Sequence, residues 1–60
     1  SISLNEAMQR LDEREKQIIR LRFYEGRTQM EVASEIGISQ AQVSRLEKNA
    51  LKCMRSYLTG

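Results

Sequence analysis

Gln40, Gln42 and Arg45 stand within one short stretch of this 60-residue chain, with Ser39 and Ser44 between and before them and Lys48 and Lys52 following. A glutamine carboxamide can pair bidentately with the edge of adenine and an arginine guanidinium with that of guanine, while the methyl of Ala41 suits a thymine methyl. Lysine and serine side chains, with free backbone N–H groups, suit phosphates. The chemistry implied is reading of a duplex, with Gln40, Gln42 and Arg45 as base readers and Ser39, Ser44, Lys48 and Lys52 on the backbone. Such residues act together only if a rigid element presents them.

The stretch Thr28 to Lys48, TQMEVASEIGISQAQVSRLEK, supplies that element. Thr28 with Glu31, and Ser39 with Gln42, each have the spacing of a capping box, which satisfies the first free N–H groups of a helix. Gly37 falls just before the second cap, where a left-handed residue lets the chain leave one helix and start another. Ala33 is small where two steeply crossed helices approach. Val32, Ile36, Ile38, Val43 and Leu46 are spaced to bury one shared face. This is the pattern of a helix-turn-helix over residues 28–48, whose second helix enters the major groove. DNA-free helical hairpins share it. Gln42 has two readings, because the capping box uses the same side chain that would reach a base.

Two further capping boxes, Ser3 with Glu6 and Asp12 with Glu15, start two helices ahead of the motif. The first carries Leu4, Ala7, Met8 and Leu11 on one face; the second carries Ile18, Ile19, Leu21, Arg22 and Phe23 toward Gly26. Tyr24 to Arg27 reads as the main loop. No strand-like alternation occurs and proline is absent. The expected architecture is all-α, a four-helix domain with a C-terminal helix-turn-helix and a long last helix. Residues 1–60 form one domain, and with no starting methionine the chain reads as a fragment of a longer protein.

The net charge of +2 hides an asymmetry. Residues 1–37 hold six basic and seven acidic groups, whereas residues 38–60 hold Arg45, Lys48, Lys52 and Arg55 against Glu47 alone. At about 100° per residue these four cations share one quarter of the last helix, opposite Val43, Leu46, Ala50, Met54 and Tyr57. A solvated helix face collects Lys and Arg for no special purpose. On the second helix of this motif, the stripe gains a use as a phosphate track.

Composition excludes other classes. Histidine is absent and Cys53 is the one cysteine, which removes His/Cys metal clusters, an intrachain disulfide and Ser-His or Cys-His catalysis. No cofactor is expected, and so small a domain has no room for a deep enzyme pocket. No apolar run approaches membrane-spanning length, so no membrane partner is expected and the setting reads as cytoplasmic, close to the nucleoid. Cys53 reads as a small apolar residue, and Tyr57 and Leu58 as a fraying core edge.

Asp12 to Leu51, DEREKQIIRLRFYEGRTQMEVASEIGISQAQVSRLEKNAL, resembles region 4, the C-terminal promoter-reading domain of the sigma-70 class of bacterial RNA polymerase sigma factors. Gly26 to Lys48 is most similar to the forespore sporulation sigma factors, sigma-G more than sigma-F. The resemblance rests on LDEREKQIIRLRF, TQMEVASEIGIS and VSRLEKNALKCMR. It implies a four-helix domain that binds the −35 element of double-stranded promoter DNA through its last helix and docks its first two helices on the β flap of the RNA polymerase core. It also implies an anti-sigma factor as a partner for that same apolar surface, with Met8 and Phe23 as contacts. Housekeeping sigma factors are richer in arginine where this chain has Gln40, Gln42 and Ser44, so a different −35 sequence is implied. A response-regulator-type activator, which also has four helices and an ERE-rich second helix, is the alternative, though its usual TVKxH-like pattern is replaced here by QVSRLEKNAL. A protein-interaction module that no longer touches DNA is the third.

Overall fold

The computed structural model describes residues 2–58. Its helices are α1 (Leu4–Gln9), α2 (Glu13–Ile19), α3 (Gln29–Ile36) and α4 (Gln40–Leu58), and α2 continues into a wide π turn over Arg20–Tyr24. No strand occurs among the described residues.

Each helix starts where its cap dictates. The hydroxyl of Ser3, the carboxylate of Asp12 and the hydroxyl of Thr28 accept from the backbone N–H of Glu6, Glu15 and Glu31, and each glutamate accepts in return from the cap residue's own N–H. Ser39 and Gln42 make the same exchange at 3.1 and 3.0 Å. The sequence separation within each box is three residues, so the bonds form before any tertiary contact is needed. Gly37 closes α3 at φ 77° and ψ 35°, with its N–H and that of Ile38 both donating to the Ala33 carbonyl. That left-handed corner reverses the chain within two residues of the next cap.

The 19 residues of α4 make a rod about 28 Å long against which the other helices lie. Its first half buries Val43 with Ile18, Leu21, Val32 and Ala33, and Ile36, Ile38 and Leu46 pack at the edge. Its second half buries Ala50 and Met54 with Ala7, Met8, Leu11 and Ile19, with Ile2 and Cys53 alongside. Ile18 and Ile19, adjacent in α2, therefore face different clusters. Rotating or removing α2 disturbs both halves of the rod. The guanidinium of Arg10 lies 5.2 Å from the Tyr57 ring centroid and holds the far end of α4 to α1.

Two sequence-based expectations are corrected. Leu4 is 52% exposed although its spacing puts it on one face with Ala7 and Met8, because α1 is only six residues long and buries just those two. Tyr24 belongs to the π turn, not to the loop, and Phe23 beside it is 52% exposed, as a contact residue must be. The Glu25 N–H donates to the Arg20 carbonyl five residues back and the Arg27 N–H to that of Leu21. This widening buries Leu21 and turns Phe23 and Tyr24 outward. Tyr57 and Leu58 are each 39% exposed, as expected of a core edge. No helix of the described residues is long and apolar enough to cross a membrane.

Candidate nucleic-acid interface

The leading turns of α4 are anchored on one side and open on the other. Val43 is completely buried, whereas Gln40, Ala41, Gln42 and Arg45 are exposed and Ser44 is half-buried. The basic stripe continues along the rod, where Lys48, Lys52 and Arg55 are exposed. Lys48, Lys52 and Arg55 also line an open groove of about 420 Å³ with Gln29, Ser44, Glu47 and Leu51. Ser44, Lys48 and Lys52 thus share one surface, while Gln40 and Gln42 lie ahead of it in the first turn of the helix and Arg45 is exposed one residue after Ser44.

Local hydrogen bonds determine what each tip residue offers. The Ser39 hydroxyl accepts from the Gln42 N–H and also donates to Gln42 Oε1 at 3.3 Å, so Ser39 is fully engaged as a cap. Gln42 Oε1 accepts from both the Ser39 N–H and its hydroxyl. The ambiguity over Gln42 therefore resolves into a division of its amide: the oxygen completes the cap, and Nε2 is left as a donor for an incoming group. Bidentate pairing with adenine through Gln42 would first open the capping box. Gln40 is held differently, since its Nε2 donates to Oε1 of Gln29 at 2.8 Å across the corner between α3 and α4.

Behind Gln29 lies an interaction that composition did not reveal. Gln29 Nε2 donates to Glu47 Oε1 at 3.3 Å, and the same oxygen accepts from Arg22 Nε at 2.5 Å. Arg22 Nη1 donates to the carbonyl of Arg27 at 2.7 Å. The Glu47 and Arg22 side chains are 12% and 25% exposed, so this ion pair is well shielded and ties α4 to the π turn. Glu47, the single acid among the cations of the last helix, is neutralised inward by Arg22 and does not oppose the stripe. Its isolation among basic residues was the signal available in the sequence, because an acid there needs a cationic partner from elsewhere. Arg27 is also paired with Glu35 of α3 and with Glu25, which fixes the loop before α3.

The first-half contact residues divide. Met8 is 4% exposed and packs with Ala50 and Met54, so it is a core residue and not an accessible contact for a polymerase or an anti-sigma factor. Its place on the inner face of a short helix gives it no surface. Phe23 is presented on the π turn with the Arg22 guanidinium 5.4 Å from its ring centroid, next to Tyr24 at 65% exposure.

The capping carboxylates have an electrostatic signature. Glu6 and Glu31 titrate below the ordinary value of 4.5, first because the backbone N–H of Ser3 or Thr28 stabilises the anion, then because the cap hydroxyl does. No cluster of histidine, cysteine, aspartate and glutamate side chains suited to a metal ion occurs among the described residues.

Four capped helices, a left-handed glycine corner and a rod with one buried face and one polar, basic face define a helix-turn-helix domain of the DNA-reading class. Residues 7–56 match the family described as Sigma-70, region 4. The chain is 67% identical over 58 residues to the RNA polymerase sigma-G factor of Clostridium acetobutylicum, covering 97% of this chain and 23% of that protein. It is 68% identical over 57 residues to the sigma-G factor of Bacillus subtilis and 58% identical over 57 to the sigma-F factor of Priestia megaterium, in each case over 95% of this chain and 22% of the relative. No solved structure gives a significant match. The chain belongs to the sigma-70 region 4 family, which decides against the response-regulator alternative. It spans under a quarter of the length of these curated relatives.

Proposed function

We propose that this domain recognises the −35 element of a promoter through the leading turns of α4 and docks on the β flap of RNA polymerase, directing transcription initiation as part of a sigma factor. The observation that carries the reading is the division of α4 at its start: Val43 is sealed in the core while Gln40, Gln42 and Arg45 are exposed beside it. Family membership and the sporulation sigma factors among its relatives support the same conclusion. Gln40 and Arg45 act as base readers, Gln42 contributes a single donor, and Ser44, Lys48 and Lys52 hold phosphates. Ser39 acts by orienting the free N–H groups at the start of the rod.

Magnitudes suit a tethered reader. About four phosphate contacts give a salt slope near −4, so affinity falls about a hundredfold between 50 and 200 mM salt. Two or three base contacts at about 1–3 kcal/mol each add limited discrimination. Held on polymerase beside another promoter-binding domain, the reader meets its site at an effective concentration of about a millimolar, where micromolar affinity is enough. Docking on the flap is assigned to the surface around Phe23 and Tyr24, whose exposed aromatic rings need an apolar partner.

Selection of preferred duplexes by polymerase bearing a sigma factor with this domain tests the reading. The expected result is an enriched element at −35 whose preference changes with Gln40→Ala and Arg45→Ala. Retention of promoter function by a combined Arg45→Ala and Lys48→Ala variant would instead assign the domain to protein interaction alone. Saturable binding of an isolated β-flap peptide, weakened by Phe23→Ala, tests the docking half.

A further inference from the structure

We propose that Gln29 is a positioning residue that locks the carboxamide of Gln40 in the polarity complementary to adenine, so that Gln29 sets selectivity at a base pair it does not touch. The proposal rests on Gln40 being a base reader. Its starting point is the direction in which hydrogen bonds run from α4 through α3 and back. Glu47 offers lone pairs only, and Arg22 Nε donates to it at 2.5 Å, which holds it in place. Gln29 must therefore aim its NH2 group at Glu47, as it does at 3.3 Å. That choice turns Gln29 Oε1 toward Gln40, which can answer only with its own NH2 group, at 2.8 Å. The anchor is itself fixed, because Arg22 also donates to the Arg27 carbonyl at 2.7 Å. No member of the chain can invert its amide without setting donor against donor or acceptor against acceptor.

Oε1 of Gln40 and its second Nε2 hydrogen remain, with defined polarity. In the major groove adenine offers an acceptor at N7 and a donor at N6, which this pair matches, whereas guanine offers acceptors at both N7 and O6. With its polarity fixed, Gln40 would set Oε1 against guanine O6. A carboxamide released from Gln29 can pivot until its NH2 group alone faces N7 and O6, with Oε1 turned away from both acceptors, and thereby accept guanine more readily. Gln29 is half-buried at the first position of α3 and Gln40 is exposed, so the coupling acts at the surface and not through the core.

The experiment is a double-substitution cycle in polymerase holoenzyme assembled with a sigma factor carrying this domain. Wild type, Gln29→Met, Gln40→Ala and the double variant are compared on promoters that differ by adenine or guanine at each position of the −35 element. Methionine keeps the length of the side chain and removes both polar atoms; any uniform loss of phosphate affinity cancels in the preference ratio. Gln40→Ala identifies the base pair read, and Gln29→Met is expected to lower the adenine-over-guanine ratio at that same pair by about two- to tenfold, the worth of one oriented hydrogen bond. In the Gln40→Ala background Gln29→Met should leave the ratio unchanged, because Gln29 then has nothing to orient. A ratio altered by Gln40→Ala but not by Gln29→Met, or changed additively by both, overturns the positioning role and leaves the reader intact. A ratio unaffected by Gln40→Ala at every position overturns the base-reading assignment and this inference with it.

Discussion

Replacement of Glu47 by alanine should lower stability and raise DNA affinity at once, a pairing of effects that few surface substitutions produce. Glu47 accepts from Arg22 Nε at 2.5 Å and from Gln29 Nε2 at 3.3 Å, with only 12% of its side chain exposed. Its loss leaves a guanidinium 25% exposed with one remaining bond, to the Arg27 carbonyl. A hydrogen bond to a charged group contributes about 1.5–3 kcal/mol, and residual solvent at this pair argues for about 2 kcal/mol. For a domain this small, each kcal/mol shifts the midpoint by about 4–8 °C, so the expected drop is about 8–16 °C. The same substitution leaves uncompensated the positive charge of Arg22 that Glu47 neutralises. A unit charge about 8 Å from a phosphate in water-like surroundings is worth about 0.5 kcal/mol, or roughly a twofold gain in affinity for any duplex at low salt. Thermal unfolding followed by circular dichroism, together with duplex titrations at low and high salt below the variant's midpoint, measures both. An unchanged midpoint, or weaker binding to all duplexes, would refute the assignment of Glu47 as an inwardly neutralised anchor.

Three other outcomes follow from the same geometry. Arg45→Ala should cost about 1–3 kcal/mol on the preferred duplex and relax selectivity at one base pair, whereas Lys52→Ala should weaken all duplexes alike and flatten the salt slope by about one; equal losses for Arg45→Ala on specific and random duplexes would remove it as a reader. Gly37→Ala meets no atom within 4 Å of the added carbon but must hold φ near 77°, so its expected cost is the backbone strain of about 1–2 kcal/mol, visible in urea unfolding. Glu6 and Glu31 titrate below 4.5 when folded, so their caps contribute fully above that value and the contribution is lost as pH falls through the lower folded values. The double variant Glu6→Gln and Glu31→Gln keeps an acceptor without the charge, and should flatten the part of an acid unfolding curve that lies below 4.5.

What could be read from the residues alone was mostly what acts over three or four positions. The four caps and the corner at Gly37 depend on neighbours in sequence, and the structure places them where the pattern does. The face of α4 was legible for the same reason, since Val43, Ala50 and Met54 recur at helical spacing and all are buried. Interactions between distant residues were not legible. The π turn coincides with a guanidinium, Arg22, that reaches a carboxylate 25 residues away, and the relay from Gln40 to Gln29 spans 11. Met8 and Phe23, both expected at a contact surface, part company for a related reason: Met8 is buried and Phe23 is exposed. Apolar type states that a residue is better buried, but the short α1 and the widened end of α2 decide which one is.

The most direct test is to follow backbone amide resonances of the domain while a duplex bearing its selected −35 element is added. Shifts concentrated on residues 39–52, with residues 4–14 of α1 and α2 unmoved, are the expected result. Shifts confined to the Phe23 and Tyr24 surface, with the start of α4 silent, would contradict the assignment of that helix as the reader.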